Sequence, residues 1–141
     1  MIKVLFVCIH NSARSQMAEA YLNKMGEGKF IAESAGLEKG HMNPFVVKVM
    51  AEEGYDLSNN TCDSVFDFHK EGRKYDLVVK VCDQMNGERC PIFPGTKQTM
   101  NWNLQDPSGL DGSDEAKLNR TREIRDQIKE KVTRLIEEFA E

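Results

Sequence analysis

Long hydrophobic runs are missing from this chain of 141 residues. The first apolar stretch, Ile2 to Val7, ends at Cys8, too short for a secretory signal or a membrane-spanning helix. Export is therefore not expected. The four cysteines, Cys8, Cys62, Cys82 and Cys90, are expected to begin as thiols in a reducing cytoplasm. That compartment makes a disulfide scaffold the poorer explanation, and the absence of a C-x₂-C pair and of an H-x₃-H pair argues against zinc. Positive charge is not in excess either. Lys and Arg number 19 against 23 Asp and Glu, giving a net charge of -4. That balance speaks against nucleic acid or an anionic membrane as a partner, but it leaves room for a local positive pocket. Repeats, low-complexity tracts and linkers are also absent, so residues 1-141 read as a single domain with one core.

What the chain does have is Cys8-Ile9-His10-Asn11-Ser12-Ala13-Arg14-Ser15. This segment joins a strand of mostly β-branched and aromatic residues, Ile2 to Val7, to an amphipathic helix. The helix carries Met17, Ala18, Tyr21, Leu22 and Met25 on one face, with Gly26 as its stop. A loop so placed aims successive backbone N–H groups and a helix N-terminus at one point, a socket for a tetrahedral oxyanion. Cys8 at its floor is placed to lose its proton and attack the bound anion. Arg14 offers a planar fork to two anion oxygens. A cysteine ending a buried strand is usually a small core residue. Here the conjunction of strand, cysteine, arginine, hydroxyl and helix favours the anion loop.

Further along, Phe30 to Ala35 reads as a second strand. Asn43-Pro44 opens a helix that Val46, Val47, Val49 and Met50 carry toward Gly54. Asp63 to His69 reads as a short helix, Tyr75 to Val81 as a third strand and Thr99 to Leu104 as a fourth. From Ser113 to Phe139, Leu118, Ile124, Ile128, Val132, Leu135, Ile136 and Phe139 make one apolar stripe. The Lys, Arg and Glu residues of that segment read as its solvated face. The alternation predicts an α/β single domain with a four-stranded parallel sheet flanked by helices. Ligands of such sheets bind beyond the carboxyl ends of the strands. Cys8, Cys82 and Asp106 each follow a predicted strand and so fall on that one edge.

Asp106-Pro107 suits a turn, and it also suits an acid, because a carboxyl beside a bound oxyanion is held toward its protonated form. Cys82 and Cys90 bracket a polar stretch with little apolar surface to hold it. They read as a core cysteine and a loop thiol, or as the second and third thiols of a relay that displaces an adduct on Cys8.

With these residues, the chain resembles the thioredoxin-coupled arsenate reductases, which share the low-molecular-weight protein tyrosine phosphatase fold. The resemblance runs from Cys8 to Glu19, then through Glu33 to Gly36, Asp76 to Val79, Cys82, Cys90-Pro91, Trp102 and Asp106-Pro107. Cys82, Cys90 and Gln16 favour reductase over phosphatase, since phosphatases usually carry proline at Gln16. Ser108-Gly109 follows Asp106-Pro107 where phosphatases commonly place a tyrosine.

The resemblance implies catalytic roles for Cys8, Arg14, Ser15, Cys82, Cys90 and Asp106. It implies oxyanion binding by Ile9, His10, Asn11, Ser12, Ala13 and Arg14. Cys8 attacks arsenate, Asp106 assists loss of water, Cys82 then Cys90 resolve the adduct, and thioredoxin reduces the final disulfide. No cofactor is required, and the protein is expected to be a monomer. Some relatives hold a potassium ion, and the corresponding residues are Asn11, Glu19, Ser34 and Asp63. Lys80 stands where a small hydroxyl residue is common, and Cys62 is expected to be a partly buried spectator. Competing readings are a phosphomonoester hydrolase of the same fold, using Cys8, Arg14 and Asp106 alone, and a non-enzymatic oxyanion or redox sensor.

Overall fold

The computed structural model describes residues 1–8, 14–36, 42–58, 60, 62–81, 95–102 and 112–139. Four strands, β1 (Ile2–Cys8), β2 (Phe30–Gly36), β3 (Leu77–Lys80) and β4 (Gln98–Asn101), form one parallel sheet in the order β2-β1-β3-β4. Among the described residues four helices surround it: α1 (Arg14–Met25), α2 (Pro44–Ala51), α3 (Val65–Lys70) and α4 (Asp114–Glu138). None of the described helices is long and apolar enough to cross a membrane.

The strand pleat sorts the core into two layers. Val4, Phe6 and Cys8 of β1, with Ala32, Leu77 and Val79, face one side. There they pack on Met17, Tyr21 and Leu22 of α1, Val49 and Met50 of α2, and Ile124, Ile128, Val132 and Leu135 of α4. Leu5, Val7, Ala35 and Val78 face the other side, which is covered by Val65 and Phe68 of α3 and by Tyr75. Because β2 lies on one side of β1 and β3 on the other, the winding reverses between β1 and β3. The carboxyl end of β1 therefore lies at the switch point, where open sheets of this kind bind ligands.

Capping follows ordinary chemistry. Asn43 accepts a hydrogen bond from the Phe45 N–H at 2.9 Å, with Pro44 at the first helical position. Ser113 accepts from Ala116 N–H at 3.1 Å at the start of α4, whose first turn carries Asp114 and Glu115. Gly26 is required by close approach, since a Cβ there would lie 2.8 Å from the Phe30 ring and 2.9 Å from the Leu22 carbonyl. Along the outer edge of β2, the Asn23 side chain of α1 clasps one residue twice. Its amide oxygen accepts from Ala32 N–H at 2.8 Å, and its amide nitrogen donates to the Ala32 carbonyl at 3.0 Å.

Several boundaries depart from the sequence reading. β3 spans Leu77–Lys80, inside the predicted Tyr75 to Val81; Asp76 leads into it, its N–H donating to the Lys3 carbonyl at 2.8 Å while its carboxylate accepts from Lys3 N–H at 2.9 Å. β4 begins at Gln98 and ends at Asn101, short of the predicted Leu104, which lies outside the described residues. α2 ends at Ala51 rather than near Gly54, and Tyr55 N–H closes the turn onto the Met50 carbonyl at 3.0 Å. Met25 is exposed rather than part of the apolar face, since α1 ends there and Gly26 makes the contact with Phe30. Arg125 of α4 is not on the solvated face but buried, donating to the Val49 carbonyl at 2.9 Å and to Glu52 at 3.0 Å. It supplies a donor to a carbonyl in the last turn of α2, which the helix itself leaves unsatisfied.

Candidate active site

The site grows from the end of β1 and the start of α1. Cys8 is the last residue of its strand, in register with Gly36 of β2, and is 2% exposed. α1 opens with Arg14, Ser15 and Gln16, all buried. The Ser15 hydroxyl donates to the Cys8 sulfur at 3.3 Å, a bond that favours the anionic form of a thiol. The structure thus joins three of the predicted residues, Cys8, Arg14 and Ser15, where a helix N-terminus meets the strand edge. The positive end of the α1 dipole lies at that same edge and favours an anion. Ile9, His10, Asn11, Ser12 and Ala13, which connect the two elements, lie outside the described residues.

Beside this junction sits a polar cluster. The Ser34 hydroxyl donates to Glu19 Oε1 at 2.9 Å, and the Ser34 backbone N–H bonds the same carboxylate. Burial pushes the Glu19 carboxyl up to about 7. The Ser34 hydrogen bonds oppose that rise, and the charges of Glu33 and Asp63 add to it. Asp63 is tied to the same place through its carbonyl, which accepts from Gly36 N–H at 2.8 Å. Glu19, Ser34 and Asp63 therefore lie in one polar cluster. Asn11, the fourth residue of that set, lies outside the described residues.

Cys82, Cys90 and Asp106 also lie outside the described residues. Their described neighbours are firmly placed. Val81 is buried and its N–H donates to the Val7 carbonyl at 2.9 Å. Trp102 is buried, donates its N–H to the Lys80 carbonyl at 2.7 Å and packs its ring 5.5 Å from that of Phe6. Lys80 is half-buried, in register with Val7 and Asn101, so it lies on the α3 face of the sheet, opposite to Cys8. Cys62 is half-buried, as expected. Asn60 was not legible as a site residue: its side chain donates to Gln16 Oε1 at 3.0 Å across 44 positions, which no local pattern marks.

The comparisons with known proteins agree with this geometry. Residues 3–141 match the family model for low molecular weight phosphotyrosine protein phosphatase. A glutaredoxin arsenate reductase of Synechocystis sp. is 37% identical over 137 residues, covering 96% of this chain and 97% of its own. A solved arsenate reductase in the phosphate binding state superimposes with a TM-score of 0.83 at 35% identity, covering 99% of this chain and all of its own. The thioredoxin-dependent arsenate reductase of Corynebacterium glutamicum gives a TM-score of 0.73 at 26% identity, covering 98% of this chain and 61% of its own. With a cysteine ending β1, an arginine opening α1 and a match over nearly its whole length, the chain belongs to the low molecular weight phosphotyrosine protein phosphatase family, and within it is similar to arsenate reductases.

Proposed function

We propose that this protein reduces arsenate to arsenite through a thiol–disulfide relay of Cys8, Cys82 and Cys90. The observation that carries the reading is the Ser15 hydroxyl held on the buried Cys8 sulfur at the start of α1, with Arg14 beside it. A thiolate there attacks the arsenic of a bound arsenate while Arg14 holds two of its oxygens. Asp106 delivers a proton to the departing oxygen, which leaves as water. Cys82 thiolate then attacks the Cys8 sulfur. The sulfur–arsenic electron pair passes to arsenic, releasing arsenite and leaving a Cys8–Cys82 disulfide. Cys90 thiolate attacks Cys82, frees Cys8 and forms Cys82–Cys90, which an external dithiol reduces. Support for the exchange comes from Val81, the residue before Cys82, which is bonded to Val7, the residue before Cys8.

The proposed reductant is thioredoxin, and the proposed site of action is the reducing cytoplasm, as a monomer. The name of the Synechocystis relative favours a second reading in which glutaredoxin serves. A coupled assay decides between them. Arsenate-dependent NADPH oxidation with thioredoxin and its reductase is expected. Oxidation only with glutaredoxin, glutathione and glutathione reductase selects the second reading. Hydrolysis of an aryl phosphate, without NADPH oxidation in either system, selects the phosphomonoester hydrolase.

Potassium is part of the same proposal. Glu19, Ser34 and Asp63, with Asn11 from the same expected set, carry the oxygen donors a hard cation requires, and a cation there would favour the ionised form of the Glu19 carboxyl against the burial that raises it. A cation held there would tie α1, through Glu19, to β2, through Ser34. Replacing potassium chloride by choline chloride at equal ionic strength is expected to lower the melting temperature by roughly 3–6 °C. Glu19→Gln is expected to abolish that difference. Equal melting temperatures of the wild type in the two salts would remove the ion from the proposal.

A further inference from the structure

The first turn of α1 carries three consecutive buried polar side chains, Arg14, Ser15 and Gln16. The first N–H groups of a helix have no partner within it, so a first turn is held by what surrounds it. Ser15 is bonded to Cys8. Gln16 is tied instead to the connection between α2 and α3, where the Asn60 side-chain amide donates to its Oε1 at 3.0 Å. That connection is also fastened to the sheet. The Asp63 carbonyl accepts from Gly36 N–H at 2.8 Å, and Ser64 forms a parallel bridge with Gly36. Gly36 is in turn the register partner of Cys8. A brace therefore runs from the start of α1 through Asn60, Asp63 and Gly36 back to the strand that ends in Cys8.

We propose that Gln16 and Asn60 are a positioning pair. Their hydrogen bond fixes the orientation of the first turn of α1, so that Arg14 reaches the oxyanion and Ser15 reaches the Cys8 sulfur. Neither side chain touches the anion. The inference rests on the anion-binding reading of the loop and deepens it. Gln16 cannot be replaced at no cost by a residue that merely fills space, because the half-buried Asn60 amide would lose its acceptor and the turn its tie to the connection between α2 and α3. Small displacements of this kind weaken capture of an oxyanion by misaligning its donors, while the chemical groups themselves remain.

The test uses inorganic phosphate as probe, measured by its protection of Cys8 from iodoacetamide, together with steady-state arsenate reduction. Asn60→Leu removes the donor at similar volume. It is expected to weaken phosphate protection about tenfold and to raise KM for arsenate by a similar factor, leaving kcat within about twofold. Asn60→Gln, which keeps an amide, is expected to restore most of the affinity. Gln16→Leu added to Asn60→Leu is expected to weaken binding by less than the sum of the two single losses, because the two residues share one hydrogen bond. Folded Asn60→Leu with unchanged phosphate affinity, additive losses in the double variant, or no rescue by Asn60→Gln would each overturn the proposal. If Asn60→Leu does not fold, Asn60→Ala is read by the same criteria. Wild-type protein that binds phosphate at Cys8 but does not reduce arsenate would sink the reductase reading, and the pair would still be judged on phosphate affinity alone. Wild-type protein in which phosphate gives Cys8 no protection would overturn both.

Discussion

Cys8→Ser is expected to lower arsenate reduction by roughly 10⁴-fold or more, while the melting temperature stays close to that of the wild type. The two outcomes separate because the position has a demanding chemical duty and a modest structural one. Serine is close in size to cysteine, and its hydroxyl has a ready partner in Ser15, whose own hydroxyl lies 3.3 Å from the sulfur it replaces. The buried end of β1 therefore loses little packing and leaves no polar group unpaired. As a nucleophile at neutral pH, a serine hydroxyl without a general base is far weaker than a thiolate. Single-turnover formation of arsenite, followed beside a thermal melt, reads both effects. A variant that released arsenite at a comparable rate would place the attacking thiol elsewhere in the chain.

The second large effect concerns Cys82 and Cys90, and it distinguishes the relay from hydrolysis on the same fold. Cys82→Ser is expected to bind arsenate but to release no arsenite, since nothing is left to displace arsenic from Cys8. Cys90→Ser is expected to release one arsenite per chain and then stall as a Cys8–Cys82 disulfide. Wild-type protein treated with arsenate in the absence of reductant is expected to accumulate Cys82–Cys90, because exchange carries the bond away from Cys8, which is 2% exposed. Peptide mapping under non-reducing conditions identifies each species. No arsenate-dependent disulfide in the wild type, or full turnover in both variants, would leave the phosphomonoester hydrolase as the better account.

What could be read from the sequence was whatever is local or periodic. The strand-to-helix step at Cys8 and Arg14 is such a feature, because the nucleophile, the loop and the helix start lie within one short segment. So is the apolar stripe of α4, whose Ile124, Ile128, Val132 and Leu135 are buried as the spacing requires. Legibility failed where a side chain answers to a distant backbone group. Arg125 reads as one more charge on a solvated helix, and only the packing of α4 on α2 shows that the Val49 carbonyl needs its guanidinium. Asp76 reads as one more strand residue, and nothing local shows that its carboxylate accepts from Lys3 N–H, 73 positions away. Gln16 stood out by its place in the loop motif, but its partner Asn60 carries no periodic or motif signal at all.

The clasp of Asn23 on Ala32 has a consequence for how the molecule behaves among other copies of itself. β2 is an outer strand of seven residues, and such a strand ordinarily offers a row of unpaired groups on which another chain can add. Here the outward N–H groups are all occupied from within the same chain. Phe30 donates to the Gly26 carbonyl, Ala32 to Asn23, Ser34 to Glu19 and Gly36 to the Asp63 carbonyl. Glu19 and Asn23, one turn apart on α1, thus stand in for a missing neighbour strand. A growing aggregate finds no template along the longer edge of the sheet, and protection against misassembly is built from the same helix that opens with Arg14.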